Sequence, residues 1–180
     1  KSLDSNADVW VVDNASTDDS VEQIRNHFPW VHLVESEKNL GFSKAVNLAA
    51  KKAKGEALLL LNPDTELKPH NYALIQKRCT QVHTKSFGFR QVDKDGRFQL
   101  SFGFRPNLSN ELLRRSVQRR LDRKGTLLGA IIDRVFSKQT NVSWVAGSSL
   151  LVGKDAFEKI DGFDENFFLF FEDIDFCLRL

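Results

Sequence analysis

"EALLLLNPDTEL" (residues 56–67) sets four consecutive leucines, Leu58 to Leu61, directly ahead of Asn62, Pro63 and Asp64. A short apolar run closed by an Asn-Pro turn reads as a buried strand. Its end delivers a carboxylate. In open α/β sheets ligands sit at the carboxyl ends of the strands, so Asp64 is read as a site residue on a rigid post. An Asx-turn or a helix cap is the local alternative for an acid in that place.

Upstream the chain alternates. "ADVWVVDN" (7–14) is a β-branched run ending in Asp13 and Asn14. Ser16 or Thr17 can cap a helix over Val21 to Phe28, which Pro29 closes. "VHLV" (31–34) reads as a second strand, and "FSKAVNLAAKKAKG" (42–55) as a helix with Ala45, Ala49 and Ala53 on one face and Gly55 at its end. Strand, helix, strand, helix, strand predicts an α/β fold with helices packed on a mostly parallel sheet. The leucine run fits a parallel strand covered on both faces. Asp13 and Asp64 then face one rim from two strand ends.

Downstream, "WVAGSSLLVGKDAFEKIDGFDENFFLFFEDIDFCLRL" (144–180) is dense in phenylalanine. Phe163, Phe167, Phe168, Phe170, Phe171 and Phe176 are expected to pack around Asp164, Glu165, Glu172, Asp173 and Asp175. An apolar wall raises carboxylate pKa values and can make a general base. Glu172 and Asp173 also suit a helix start, where acids favour the dipole.

The bulk numbers fit one domain. The chain has 180 residues, 41% hydrophobic and 28% charged, with a net charge of +2. The two cysteines, Cys79 and Cys177, have no metal-type or redox-type spacing, which predicts free thiols in a reducing compartment. His27, His32, His70 and His83 show no ligand spacing. No run approaches the roughly 18 apolar residues that span a bilayer. The chain starts at Lys1, lacks methionine and ends at "CLRL", so a piece of a longer protein is expected.

The segments "VVDNASTDDS", "NLGFSKAVNLAAKKAKGEALLLLNPDTEL" and "WVAGSSLLVGKDAFEKIDGFDENFFLFFEDIDFCLRL" together resemble the family 2 glycosyltransferases, nearest to the bacterial rhamnosyltransferase-like branch. The resemblance implies the GT-A fold, a Rossmann-like three-layer α/β/α arrangement. It implies a single domain over 1–180, with 1–67 as the nucleotide-binding half and 86–180 as the acceptor-side half. It also implies a preceding strand, absent here, that would leave an open sheet edge. By the same resemblance, Asp13 with Asn14 binds the nucleotide, Asp64 with Asn62 holds Mg²⁺ or Mn²⁺ beside the diphosphate, and Asp173 is the catalytic base. Glu172 is the runner-up and Asp175 a weaker choice. Many members carry Asp where Asn62 stands, so one carboxylate replaces two. The implied reaction is inverting transfer from a dTDP- or UDP-sugar to a saccharide or lipid-linked acceptor in cell-surface polysaccharide synthesis. A non-catalytic remnant of the same fold, acting only as a binding module, is the alternative. A hydrolase with paired acids fits poorly, because its carboxylates stand about 5 Å or more apart across the bond.

Between these motifs, Asp95-Gly96 within 86–105 predicts a β-hairpin. "LSNELLRRSVQRRLDRKG" (108–125) predicts an amphipathic helix with Leu113, Val117 and Leu121 inward, opening a basic insert over 108–136. Its arginines are either a solvated face or a surface for anionic headgroups. No aromatic-interleaved basic patch points to nucleic acid. Asn47 is expected to be structural, pinning the loop that holds Gly41. The expected location is the cytoplasm, with peripheral contact on the inner face of the cytoplasmic membrane as a further option.

Overall fold

The structure, a computed structural model, describes residues 7–69, 71–83, 85–121, 131, 134, 135 and 138–180. The elements run β1 (Trp10–Asp13), α1 (Ser20–His27), β2 (His32–Glu35), α2 (Gly41–Lys52), β3 (Ala57–Leu61) and α3 (Asn71–Cys79). Four two-residue strands follow, β4 (Phe87–Gly88), β5 (Gln91–Val92), β6 (Phe98–Gln99) and β7 (Phe102–Gly103). The chain closes with α4 (Leu108–Leu121), β8 (Trp144–Val145), β9 (Ser149–Gly153), α5 (Lys154–Lys159) and α6 (Glu172–Arg179).

The first unit is the expected βαβ. β1 and β2 pair in parallel, from Trp10 opposite His32 to Asp13 opposite Glu35. The third strand departs from expectation. β3 pairs antiparallel with β9, from Ala57 opposite Gly153 to Leu61 opposite Ser149, and β9 is the middle of the order β3-β9-β4. Among the described residues one strand pair is parallel and the rest are antiparallel. A mostly parallel three-layer sheet is therefore corrected to an α/β fold of small, mixed sheets. The reason is physical: a run of leucines reports an apolar strand but not the direction of its partner, and here, among the described residues, β3 is the edge strand beside β9, with Leu58 buried and its other residues half-buried. All five residues of β9 are buried.

The core gathers Ala50, Leu58, Leu150, Val152, Phe157, Phe163 and Phe176. Phe163 stacks on Phe176 with ring centroids 4.5 Å apart, and Phe42 meets Phe163 edge-on at 5.7 Å. Each such buried ring contributes about 1.5–3 kcal/mol. The expected aromatic ring around the acids is thus only half right. Phe163 and Phe176 are core, while Phe168, Phe170 and Phe171 are exposed.

Two helix faces also differ from expectation. On α2 the buried stripe is Ser43, Asn47 and Ala50, not Ala45, Ala49 and Ala53. On α4 only Leu121 of the predicted stripe is buried, and Leu113 is 63% exposed. Residues 122–125 of the predicted helix and most of 126–136 lie outside the described residues. The predicted hairpin is present: Gln91 pairs with Gln99, and Gly96 takes φ +77° in the turn. Asp93 Oδ1 accepts the backbone N–H groups of Asp95 and Arg97 there. No helix among the described residues is long and apolar enough to cross a membrane.

Candidate active site

Asp13 ends β1 and is buried. Its Oδ2 accepts the Ser16 N–H, three residues on, at 3.1 Å, a cap-type local bond. Asn14 is spent on backbone. It donates to the Gly41 carbonyl at 3.3 Å and accepts the Leu40 N–H at 3.2 Å. The loop holding Gly41 is therefore pinned by Asn14, not by Asn47 as expected. Gly41 has φ +77°, and a Cβ there would run into the Phe168 carbonyl oxygen. That oxygen accepts the Phe42 N–H at 2.9 Å. Only glycine lets the two backbones approach so closely.

The segment beyond Phe168 is strained. Phe170 and Phe171 both take left-handed conformations, φ +70° and +69°, which cost about 1–3 kcal/mol each for such residues. Phe171 is the N-cap of α6, so the strain lies immediately before Glu172 and Asp173. The two acids part ways. Glu172 is buried, and its Oε2 has no hydrogen-bond partner. Burial raises its pKa, and the charge of Asp173 adds to that. Asp173 is half-buried. Its Oδ1 accepts the Ile174 N–H at 2.8 Å and its Oδ2 the Gly147 N–H at 3.4 Å. Burial raises the Asp173 pKa too, against those backbone bonds and the nearby positive charge of Arg114. A carboxylate with raised proton affinity, reachable from outside, is suited to take a proton.

Arg114 is a residue that sequence reasoning missed. It lies on α4, forks onto both oxygens of Glu111 at 2.9 and 3.0 Å and sits over the Trp144 ring at 5.7 Å. Arg114 and Arg115 together hold the Glu111 carboxyl down to about 2. Nothing local separates Arg114 from its neighbouring arginines; only the packing of α4 does.

Asp64 stands in the turn after β3, exposed, with no hydrogen bond or ion pair among the described residues. Asn62 fixes that turn through its backbone: its N–H donates to the Ser148 carbonyl and its carbonyl accepts the Thr65 N–H. No group of three or more His, Cys, Asp or Glu side chains among the described residues could hold a metal. Asp64 is thus a lone exposed carboxylate, and a cation there would have to take most of its ligands from elsewhere.

A chain of direct contacts joins the predicted residues. Asn14 touches Gly41, Gly41 abuts Phe168, and the Phe168 segment runs into Asp173. Asp173 meets Gly147, and the adjacent Ser148 clasps the turn of Asn62 and Asp64. Asp175 stands apart, paired with Arg179 at 2.7 Å.

The glycosyl transferase family 2 model matches residues 2–144, and the chain belongs to that family. An N-acetylglucosaminyl-diphospho-decaprenol L-rhamnosyltransferase of Mycobacterium tuberculosis is 28% identical over 184 residues, covering 96% of this chain and 60% of the relative. The chain thus spans three-fifths of that relative's length. Among solved structures, Staphylococcus aureus TarS 1–349 in complex with UDP superposes with TM-score 0.60 at 17% identity, covering 94% of this chain and 44% of TarS. GalNAc-T7 with UDP, GalNAc and Mn²⁺ superposes with TM-score 0.64 at 15% identity, covering 96% of this chain and 34% of that one. The fold is GT-A-like.

Proposed function

We propose that this chain is the catalytic part of an inverting glycosyltransferase. It moves a sugar, rhamnose foremost, from a dTDP- or UDP-sugar to a saccharide or lipid-linked acceptor in cell-surface polysaccharide synthesis. The observation that carries the reading is Asp173: half-buried, with a raised pKa, it bonds Gly147 one residue from the Ser148 clasp on the Asp64 turn. The rhamnosyltransferase relative, whose name specifies a lipid-diphosphate-linked sugar, supports the acceptor class.

In this reading residues 1–67 form the nucleotide half, where the free lone pairs of Asp13 receive the base N–H. Residues 86–180 form the acceptor half. Asp173 takes the acceptor hydroxyl proton as that oxygen attacks the anomeric carbon opposite the leaving diphosphate, which inverts the centre. A bound Mg²⁺ or Mn²⁺, held by Asp64 and Asn62, would offset the leaving diphosphate's charge. Glu172, buried with an unpartnered oxygen and a pKa raised by that burial, is assigned no part in the proton transfer.

The outer face of α4 favours peripheral membrane contact. Leu108, Leu112 and Leu113 are exposed beside Arg115, Arg119 and Arg120, a mixture suited to an anionic lipid surface. This seats the enzyme against the inner face of the cytoplasmic membrane, where a lipid-linked acceptor would be presented.

The test is calorimetric titration of the chain with UDP and dTDP, with and without Mn²⁺, repeated on Asp64→Ala. Metal-dependent binding of one nucleotide, lost in the variant, supports the reading and identifies the base. Nucleotide binding without any sugar transfer selects the binding-module alternative. Absence of binding by either nucleotide refutes the donor site.

A further inference from the structure

An open cleft of about 380 Å³ is lined by Gln91, Gln99, Leu100, Ser101, Gln118 and Ala146. None of these side chains is charged. We propose that this cleft is the subsite for the sugar unit of the acceptor, a neutral saccharide held by glutamine amides. The inference rests on the glycosyltransferase reading and assigns its acceptor side.

Three observations carry it. First, the chemistry of the lining is uniform and directional. Gln91 and Gln99 are direct cross-strand partners in the β5–β6 hairpin, so their side chains leave the same face. Gln118 reaches in from α4, its Oε1 held by the Leu100 N–H at 3.1 Å. An amide offers both donors and acceptors, which is what sugar hydroxyls offer in return. A phosphate or carboxylate would find no cationic partner in this lining, and Leu100 gives an apolar surface for the C–H face of a ring.

Second, the size is right. The volume lies at the lower end of the roughly 300–1,000 Å³ found for small-molecule sites, room for a sugar unit or two. Gln91 is fixed from behind, donating to Ser148 Oγ at 2.8 Å, so its amide is oriented before any ligand arrives.

Third, the cleft adjoins the reacting groups through three consecutive residues. Ala146 lines the cleft and donates to the Ser101 carbonyl at 2.7 Å. Gly147 donates to Asp173, and Ser148 holds both Gln91 and the Asn62 turn. A hydroxyl projecting from a sugar in the cleft is thus one residue's span from the Asp173 carboxylate.

The experiment is NMR of the ¹⁵N-labelled chain, read at the glutamine side-chain amide signals, which Gln→Ala variants assign. Free N-acetylglucosamine, glucose and rhamnose are titrated in turn, and UDP and dTDP with Mn²⁺ are titrated separately. The expected result is saturable movement of the Gln91, Gln99 and Gln118 amide signals by at least one sugar. Gln99→Leu, at an exposed position that leaves the fold intact, should weaken that sugar about tenfold or more, as loss of a hydroxyl partner does. Nucleotide binding with no sugar-induced movement of these amides overturns the subsite and leaves the donor reading standing. Equal movement by every sugar, undiminished in Gln99→Leu, shows non-specific contact and overturns it as well. Sugar binding without nucleotide binding keeps a saccharide site in the cleft but overturns its role as the acceptor subsite, together with the donor reading it rests on.

Discussion

Asn47 offers the sharpest test of how this site is held. Its Oδ1 accepts the Phe163 N–H at 2.9 Å, and its Nδ2 donates to the Phe163 carbonyl at 2.8 Å and to Glu165 Oε1 at 3.2 Å. Asn47 and Phe163 are both buried and stand 116 positions apart in the chain. Asn47→Ala orphans two buried backbone groups, each worth about 1–3 kcal/mol. Water entering the space left by the amide offsets part of this, so the expected loss is about 3 kcal/mol. At roughly 2–4 °C per kcal/mol for a chain of this size, the Tm should fall by roughly 6–12 °C.

Asn47→Asp sharpens the test. It keeps the acceptor for the Phe163 N–H but sets a carboxylate against the Phe163 carbonyl and near Glu165. That variant should be at least as unstable as Asn47→Ala at neutral pH and should recover in acid, where the protonated carboxyl can donate again. Phe163 stacks on Phe176 of α6, so turnover should fall more than nucleotide binding. Urea unfolding across pH reads stability, and calorimetry reads nucleotide binding. A loss under about 1 kcal/mol in Asn47→Ala, or no acid recovery in Asn47→Asp, would show that this amide does not hold the loop.

Gly41→Ala should cost about 2–4 kcal/mol, from the left-handed backbone and the displaced Phe168 carbonyl, and should reduce turnover; a fully active, equally stable variant removes that contact from the argument. Asp173→Asn should lower kcat by about 10²–10⁴ with nucleotide affinity kept, and normal turnover would place the base elsewhere. Glu172→Gln tests the buried acid. Because burial raises its pKa in the folded state, its contribution to stability is full below the unfolded value and is lost as pH rises through the folded one. The variant should therefore gain on the wild type as pH rises from acid to neutral, measured by urea unfolding, with turnover retained; a gain toward acid instead contradicts the direction of the shift. Replacing Arg119 and Arg120 by Ser should weaken partition onto anionic vesicles about thirtyfold, at about 1 kcal/mol per arginine, and unchanged sedimentation leaves a merely solvated face.

Much of this molecule was decided by short-range signals. The β1–α1–β2 unit follows from a β-branched run and a helix that stops before Pro29, all within a few residues of one another, although the helix N-cap is Asp19, without a side-chain cap bond, and not Ser16 or Thr17. The Asp95-Gly96 hairpin follows from a positive φ that glycine takes without cost. The strand-end positions of Asp13 and Asp64 and the helix start at Glu172 were legible for the same reason. Direction and partnership were not. The Leu58–Leu61 run marks β3 as an apolar strand, but its antiparallel partner β9 begins 88 residues after the run ends, and no local property of either strand encodes the pairing. The split between a buried Glu172 and a reachable Asp173, adjacent in sequence, depends on Gly147 and the core aromatics. Asn47 and Arg114 became meaningful only when packing set one against Phe163 and the other over Trp144. Local chemistry fixes which residues can end a strand or cap a helix. Which carboxylate loses water, and which polar side chain must replace that water, is settled only when distant segments meet.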